Sequence, residues 1–331
     1  MTEPDPEVLL WAKELLGVSV TVSPLTGGAN NHLFRCVASD RAIVVKRYRE
    51  QNFGAEVTRR QAEVAFLRHA AAVAPAYVPQ LLASHETLEM IAMSAIDGMS
   101  YEVGQRVGAE DLGAAIAFYR ALNSDRGRIG AYPIPAREGF LSIAEHLCHV
   151  EGRLSRLRTE HLPIEVRAPA QRVLDCLTKA FDALVDNFQA STSKEIFCAA
   201  LDPGFRQVSP GDFGFHNAIR VQAGPVFMDF EYAGKDDPAK TLADFFLQPK
   251  VPIDPAAFDP VADAFALNVP ADYLKGRARV LGRVLSIKWK SIILAPLDQE
   301  RFQSFQSRYQ LTLLPELFNR LRLAERQTLF N

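Results

Sequence analysis

At 331 residues the chain is long enough for two domains, and 48% hydrophobic against 23% charged residues is the balance of a folded globular enzyme, not of a disordered segment. Lys and Arg number 37 against 39 Asp and Glu, so the formal net charge of -2 offers no bulk attraction to nucleic acid or to an anionic membrane surface. Cys36, Cys148, Cys176 and Cys198 form no Cys-x-x-Cys pair, the acidic N-terminus lacks an apolar signal region and no apolar run reaches spanning length, so a cytoplasmic protein with reduced thiols is expected.

Leu9, Leu10, Ala12, Leu15 and Leu16 recur at helical spacing and predict a short amphipathic helix over 6–16. Three strands follow, over 18–25, 32–38 and 42–48, the first two separated by the turn-rich Thr26-Gly27-Gly28-Ala29-Asn30-Asn31. Glycines let backbone amides approach phosphate oxygens, and Lys46 on the third strand could reach the same phosphates as a point charge. Taken singly, a hairpin turn and a solvent-facing lysine explain these letters; their order is what raises the phosphate reading. A helix is predicted over 54–74, with Glu56 and Glu63 available on it, and strands over 80–84 and 88–93 complete a five-stranded sheet. Beyond Tyr101 the chain reads as helical over 111–122, 141–158, 166–188, 239–246, 256–267, 273–294 and 301–326, interrupted by one hairpin.

That hairpin carries the densest chemistry. Residues 218–221 and 226–228 are short apolar runs flanking Gln222-Ala223-Gly224. Asp212 and Asn217 stand on the loop that enters it, in Ser209-Pro210-Gly211-Asp212-Phe213-Gly214-Phe215-His216-Asn217, and Asp229 stands at its exit, in Met228-Asp229-Phe230-Glu231. Two carboxylates and an amide are the oxygen donors that suit Mg²⁺, which takes one or two protein groups and completes its shell with phosphates and waters. Phosphoryl transfer needs that metal and a carboxylate to orient the attacking hydroxyl and accept its proton.

The pattern Asp-x-x-x-x-Asn followed by apolar-Asp-Phe resembles the catalytic and metal loops of the protein-kinase-like fold, and most closely those of the aminoglycoside phosphotransferase and choline kinase group. The resemblance implies an α+β, bilobal fold: an N-terminal nucleotide-binding lobe over 1–97 built on a five-stranded antiparallel sheet with a helix, and a larger, mainly helical lobe over 98–331 with the catalytic and metal loops and the substrate site. It implies Asp212 as catalytic base and Asn217 and Asp229 as metal ligands. ATP would be bound by the loop of Gly27, Gly28 and Asn30, by Lys46 braced by Glu63 in preference to Glu56, and by the main chain of Ser94 and Ile96 at a hinge in Met93-Ser94-Ala95-Ile96-Asp97-Gly98. Asp244 would brace the catalytic loop, while Glu231 would meet metal or substrate or cap the next turn. One departure stands out: Pro210 occupies the place where the group carries histidine, so a differently braced loop is expected.

Other constellations are weaker. His146 and His149, at i and i+3 of one helix, lack a complementary Cys/His pair, and Ser209 with His216 lacks a nucleophile elbow. The stretch from Ala271 to the end carries eleven Lys and Arg against five acids, either a solvated face or a site for an anionic acceptor. The expected activity is ATP- and Mg²⁺-dependent transfer of the γ-phosphoryl group to a hydroxyl of a small molecule, a sugar or sugar derivative being favoured, with no nucleic acid, membrane or obligate protein partner. A nucleotide-binding pseudokinase, an aminoglycoside kinase and a nucleotidyl transferase stay open.

Overall fold

The computed structural model describes residues 5–17, 19–25, 31–39, 41–49, 57–191 and 198–326. Gly27, Gly28, Asn30 and Glu56 lie outside the described residues. The chain divides into two compact units, Met1–Gly139 with Gln207–Lys235, and Phe140–Arg206 with Asp236–Asn331.

In the first unit, α1 (Pro6–Leu16) starts where the Asp5 carboxylate accepts from the N–H groups of Glu7 at 3.1 Å and Val8 at 3.4 Å, with Pro6 at the first helical position. It buries Val8, Trp11 and Ala12 against Cys36, Ile43, Val45, Met90 and Ala92 of the sheet. Strands β1 (Thr21–Leu25), β2 (Asn31–Ala38), β3 (Arg41–Tyr48), β4 (Leu81–His85) and β5 (Met90–Ser94) pair in the order β1-β2-β3-β5-β4, antiparallel throughout, as expected. Side chains alternate across a strand. Ile43 and Val45 of β3 therefore pack under α1, while Lys46 and the residue two further on, Tyr48, share one buried environment around Glu63.

Helix α2 (Arg59–Val73) lies within the predicted 54–74, and Thr58 caps its first turn reciprocally. Its hydroxyl accepts from the Gln61 N–H at 3.1 Å and the Gln61 side chain accepts from the Thr58 N–H at 2.8 Å. Strand β6 (Met99–Ser100) pairs with β8 (Ala218–Val221), and β8 with β9 (Gly224–Phe227); β6 and β7 (Gln207–Ser209) are strands where no strand was predicted. Val221 pairs with Gly224, so the turn is Gln222-Ala223 alone and Met228 lies beyond the strand. At Gly98 a Cβ would stand 2.4 Å from the Arg220 carbonyl oxygen, so the approach of β6 to β8 needs glycine there.

Behind the hairpin lies an aromatic core. Phe118 of α3 (Ala109–Leu122) stacks on Phe227 at 5.1 Å and meets Phe66 of α2 at 6.4 Å, and Phe66 packs on Phe230 at 4.3 Å. Phe213 and Phe215, which bracket the Asp212 loop, sit 5.1 and 5.8 Å from Phe227. Each such ring contributes about 1.5–3 kcal/mol by leaving water. The core thereby fixes α2 and both ends of the hairpin to each other.

The second unit is mainly helical, with helices at Ile143–Leu154, Ile164–Ser191, Pro238–Leu247, Phe258–Phe265, Ala271–Ile293, Gln299–Arg308 and Leu313–Arg326. One helix was predicted over 301–326, and two are found. Pro315 stands in the first turn of the second helix, Leu313–Arg326, where its missing N–H costs no helical hydrogen bond. Among the described residues no helix is long and apolar enough to cross a membrane.

Asp244 belongs to this unit's interior. Its carboxylate accepts from Lys288 Nζ at 2.8 and 3.0 Å and from Trp289 Nε1 at 2.8 Å, and Lys240 stands 3.5 Å away. Burial alone would raise its pKa, but the two ammonium charges outweigh burial and hold the carboxyl below the usual range. Asp244 thus ties Pro238–Leu247 to Ala271–Ile293 within this unit. The basic stretch is largely neutralised in the same way. Lys275, Arg277, Arg279, Lys288, Arg301 and Arg320 pair with Asp263, Asp237, Asp259, Asp244, Asp298 and Glu316. His146 is buried, and burial with the nearby charges of Lys240, Lys288 and Arg277 pushes its pKa well down. Among the described residues no group of three or more His, Cys, Asp and Glu side chains could hold a metal, so the His146/His149 pair is not a metal centre.

Candidate active site

The site residues that are described and carry side-chain chemistry all belong to the first unit. Lys46 Nζ donates to Glu63 Oε2 at 2.6 Å, forms a close ion pair with Asp229, and stands 3.9 Å from Glu231 Oε2. The Tyr48 hydroxyl donates to the same Glu63 oxygen at 2.5 Å. Lys46 and Glu63 are 3% and 1% exposed, whereas Asp229 is 46% exposed and open to a ligand. Burial would push the Lys46 ammonium down, but the charges of Asp229, Glu63 and Glu231 together hold its pKa above the ordinary lysine value. Burial raises Glu63 from its usual range against the pull of Lys46, and burial with the neighbouring Glu63 charge keeps Tyr48 a neutral phenol.

Glu231 is buried and accepts from Asn31 Nδ2 at 2.5 Å, with Arg59 Nη1 3.8 Å from its other oxygen. It therefore ties the first residue of β2 to the exit of the hairpin. The Arg59 and Arg137 guanidiniums lie 5.6 and 6.0 Å from the centre of the Tyr232 ring.

The Asp212 loop is built from close backbone approaches. Asn123, at the end of α3, clamps both backbone groups of Val208, its Oδ1 accepting from the N–H at 2.7 Å and its Nδ2 donating to the carbonyl at 2.9 Å. Gly211 has φ +85, and a Cβ there would stand 2.7 Å from the Tyr232 carbonyl carbon. Gly211→Ala is accordingly expected to destabilise the first unit by about 1–3 kcal/mol, read as a lowered unfolding midpoint in denaturant. Asn217 Nδ2 donates to the Asp212 carbonyl at 2.9 Å and to its Oδ2 at 3.1 Å, and His216 Nε2 stands 3.2 Å from Oδ1. The Asp212 carboxylate is nevertheless 41% exposed. The Asn217 carbonyl accepts from the Met228 N–H at 2.8 Å, which sets Asn217 beside the residue preceding Asp229. Asp229 itself has φ +65, a left-handed conformation that Asp tolerates better than most residues and that the buried Phe230 holds in place.

Ser94 ends β5, where its N–H donates to the Gln80 carbonyl and its hydroxyl accepts from the Gln80 N–H, each at 2.9 Å. Ile96 is half-buried on the chain just beyond. The structure thus gathers Lys46, Glu63 and Asp229 into one ion cluster and Asp212 with Asn217 into one hydrogen-bonded set, the two joined by the base of a single hairpin.

A model described as the phosphotransferase enzyme family, APH, matches residues 21–280. The chain belongs to this family. A search of the curated proteins finds no match. Among solved structures, the phosphotransferase is similar to a choline kinase from Cryptosporidium parvum Iowa II, at 12% identity and a TM-score of 0.60 over 98% of this chain and 95% of that one. It is also similar to a spectinomycin phosphotransferase in complex with ADP and spectinomycin, at 12% identity and a TM-score of 0.60 over 99% of each chain. A third is a choline kinase from Streptococcus pneumoniae, at 13% identity and a TM-score of 0.54 over 96% and 98%. At these identities the likeness is one of fold: a five-stranded antiparallel sheet followed by a mainly helical part.

Several residues that build the phosphotransferase's site were missed in the sequence. Tyr48 was signalled only by strand alternation, two residues past Lys46. Asn123 could have been read only as a helix end. Arg59 had no local signal, and Asn31 was read only as the end of the glycine-containing loop, since their partner Glu231 lies 172 and 200 residues further on.

Proposed function

We propose that this phosphotransferase moves the γ-phosphoryl group of ATP to a hydroxyl of a small molecule, a sugar or sugar derivative being the favoured acceptor. The observation that carries the reading is the pair of half-open carboxylates, Asp212 and Asp229, at the two ends of one hairpin, with Asp229 against a buried, charged Lys46 that Glu63 and Tyr48 hold in place. In this reading residues 1–97 handle nucleotide and 98–331 carry the catalytic loops and acceptor.

Asp212 would orient the acceptor hydroxyl and take its proton as the new O–P bond forms and the bond from γ-phosphorus to the bridging oxygen breaks, releasing ADP. Lys46 would position phosphate oxygens as a fixed positive charge, and the main chain of Ser94 and Ile96 would read the base. The carboxylate of Asp229 and the amide oxygen of Asn217 fit a hard cation, so they would hold Mg²⁺, which supplies neutralisation of the phosphate charge when bound. A neutral, hydroxyl-bearing acceptor agrees with a basic stretch that is mostly paired within its own unit.

The test is an ATP-consumption screen over sugars, amino alcohols, nucleosides and aminoglycosides, with mass spectrometry of the product. A product heavier by one phosphoryl group is expected. A product carrying a nucleotidyl group would overturn the reading, and thermal stabilisation by ATP with Mg²⁺ without turnover of any acceptor would replace it by a nucleotide-binding pseudokinase.

A further inference from the structure

We infer that His216 is the positioning residue of Asp212, holding the carboxylate rotor from the side that Asn217 leaves open; this rests on the proposed role of Asp212. Four observations converge on it. His216 Nε2 stands 3.2 Å from Asp212 Oδ1, while Asn217 Nδ2 donates to Oδ2 at 3.1 Å, so each carboxylate oxygen has a different side-chain nitrogen beside it. The His216 side chain is only 6% exposed, which withholds it from substrate and from solvent. Its other ring nitrogen, Nδ1, is buried and has no hydrogen-bond partner among the described residues, so Asp212 is the polar engagement for which the ring is kept inside. Position 210 is proline, which offers no side-chain donor to the loop.

The backbone explains why the ring stays there. His216 is the middle residue of a 3-10 turn, Phe215–Asn217, and the neighbouring Phe215 is fully buried, 5.8 Å from Phe227 and 5.2 Å from Tyr101. A carboxylate turns readily about its terminal torsion, which has broad wells. A side-chain nitrogen beside each oxygen restricts that freedom. Asn217 alone would not suffice, because its amide nitrogen is divided between the Asp212 carbonyl and Oδ2 and does not reach Oδ1. His216 therefore acts through Asp212 and does not itself exchange a proton with substrate. The Ser209 hydroxyl accepts from the Gly211 N–H at 3.1 Å.

The experiment compares His216→Leu, which keeps bulk without a donor, and His216→Gln, whose amide nitrogen reaches as far as Nε2, with wild type and with Asp212→Ala. The readouts are steady-state rates with Mg²⁺ and ATP, with water as acceptor and with any acceptor found in the screen. His216→Leu should lower kcat about 10- to 100-fold with KM for ATP unchanged, the size of effect expected when a reacting group is misplaced, and His216→Gln should recover most of it. If His216→Leu keeps the wild-type kcat while Asp212→Ala is inactive, the inference fails and the base assignment stands. If Asp212→Ala is as active as wild type, the base assignment fails. A second readout is independent of turnover: ¹⁵N NMR of the His216 ring should show Nε2 carrying the proton in wild type and a changed resonance in Asp212→Ala. An unprotonated Nε2, or a ring resonance indifferent to Asp212→Ala, would overturn the contact itself.

Discussion

Asp212→Ala is expected to lower phosphoryl transfer by about 10²- to 10⁴-fold, the range a general base contributes, while ATP with Mg²⁺ still stabilises the variant in a thermal shift. The Asp212 carboxylate is 41% exposed and lies against His216 and Asn217, whereas Asp229 faces Lys46. Losing Asp212 thus leaves the Lys46, Glu63 and Asp229 cluster intact and should separate chemistry from nucleotide binding. Asp212→Asn is the sharper version, since it keeps the shape and removes the ability to accept a proton. Steady-state rates with the best acceptor from the screen decide it, and wild-type kcat in either variant would remove Asp212 from the chemistry.

What could be read in advance follows from how each signal is encoded. The sheet was legible because alternation in residues such as Ile43 and Val45 is a local property, and α1 because Asp5, Pro6 and the leucine spacing agree within one short segment. The pairing of Asp212 with Asn217 was legible because the two stand five residues apart on one short loop. The start of α2 was misread because Thr58 and Gln61 compete with the helix-favouring residues before them. The helix over 301–326 was misread because Pro315 looked like an interior residue and not like the first turn of a second helix. The partners of Asp244, Lys288 and Trp289, sit 44 and 45 residues away, beyond any periodic signal. Arg59, Asn31 and Glu231 form a contact of the folded chain only.

Lys46→Met should cost both stability and activity, and the two losses can be told apart. Lys46 is 3% exposed, and its charge compensates Glu63, 1% exposed, together with Asp229 and part of Glu231. Removing one partner from a buried pair leaves an uncompensated carboxylate and costs about 3–5 kcal/mol. The Tyr48 hydroxyl can still donate to Glu63 but brings no charge. Replacing the pair together, as Lys46→Met with Glu63→Leu, removes the stranded charge and should recover most of the lost stability without restoring turnover. Because the folded pKa of Lys46 lies above the ordinary lysine value, its contribution is complete below the unfolded value of about 10.4 and is lost as pH rises through the folded one. Wild type should therefore lose stability relative to the double variant as the pH is raised above about 10. Urea unfolding of the first unit across that range measures this, and a double variant as unstable as Lys46→Met alone would show that Glu63 is held by something other than the lysine.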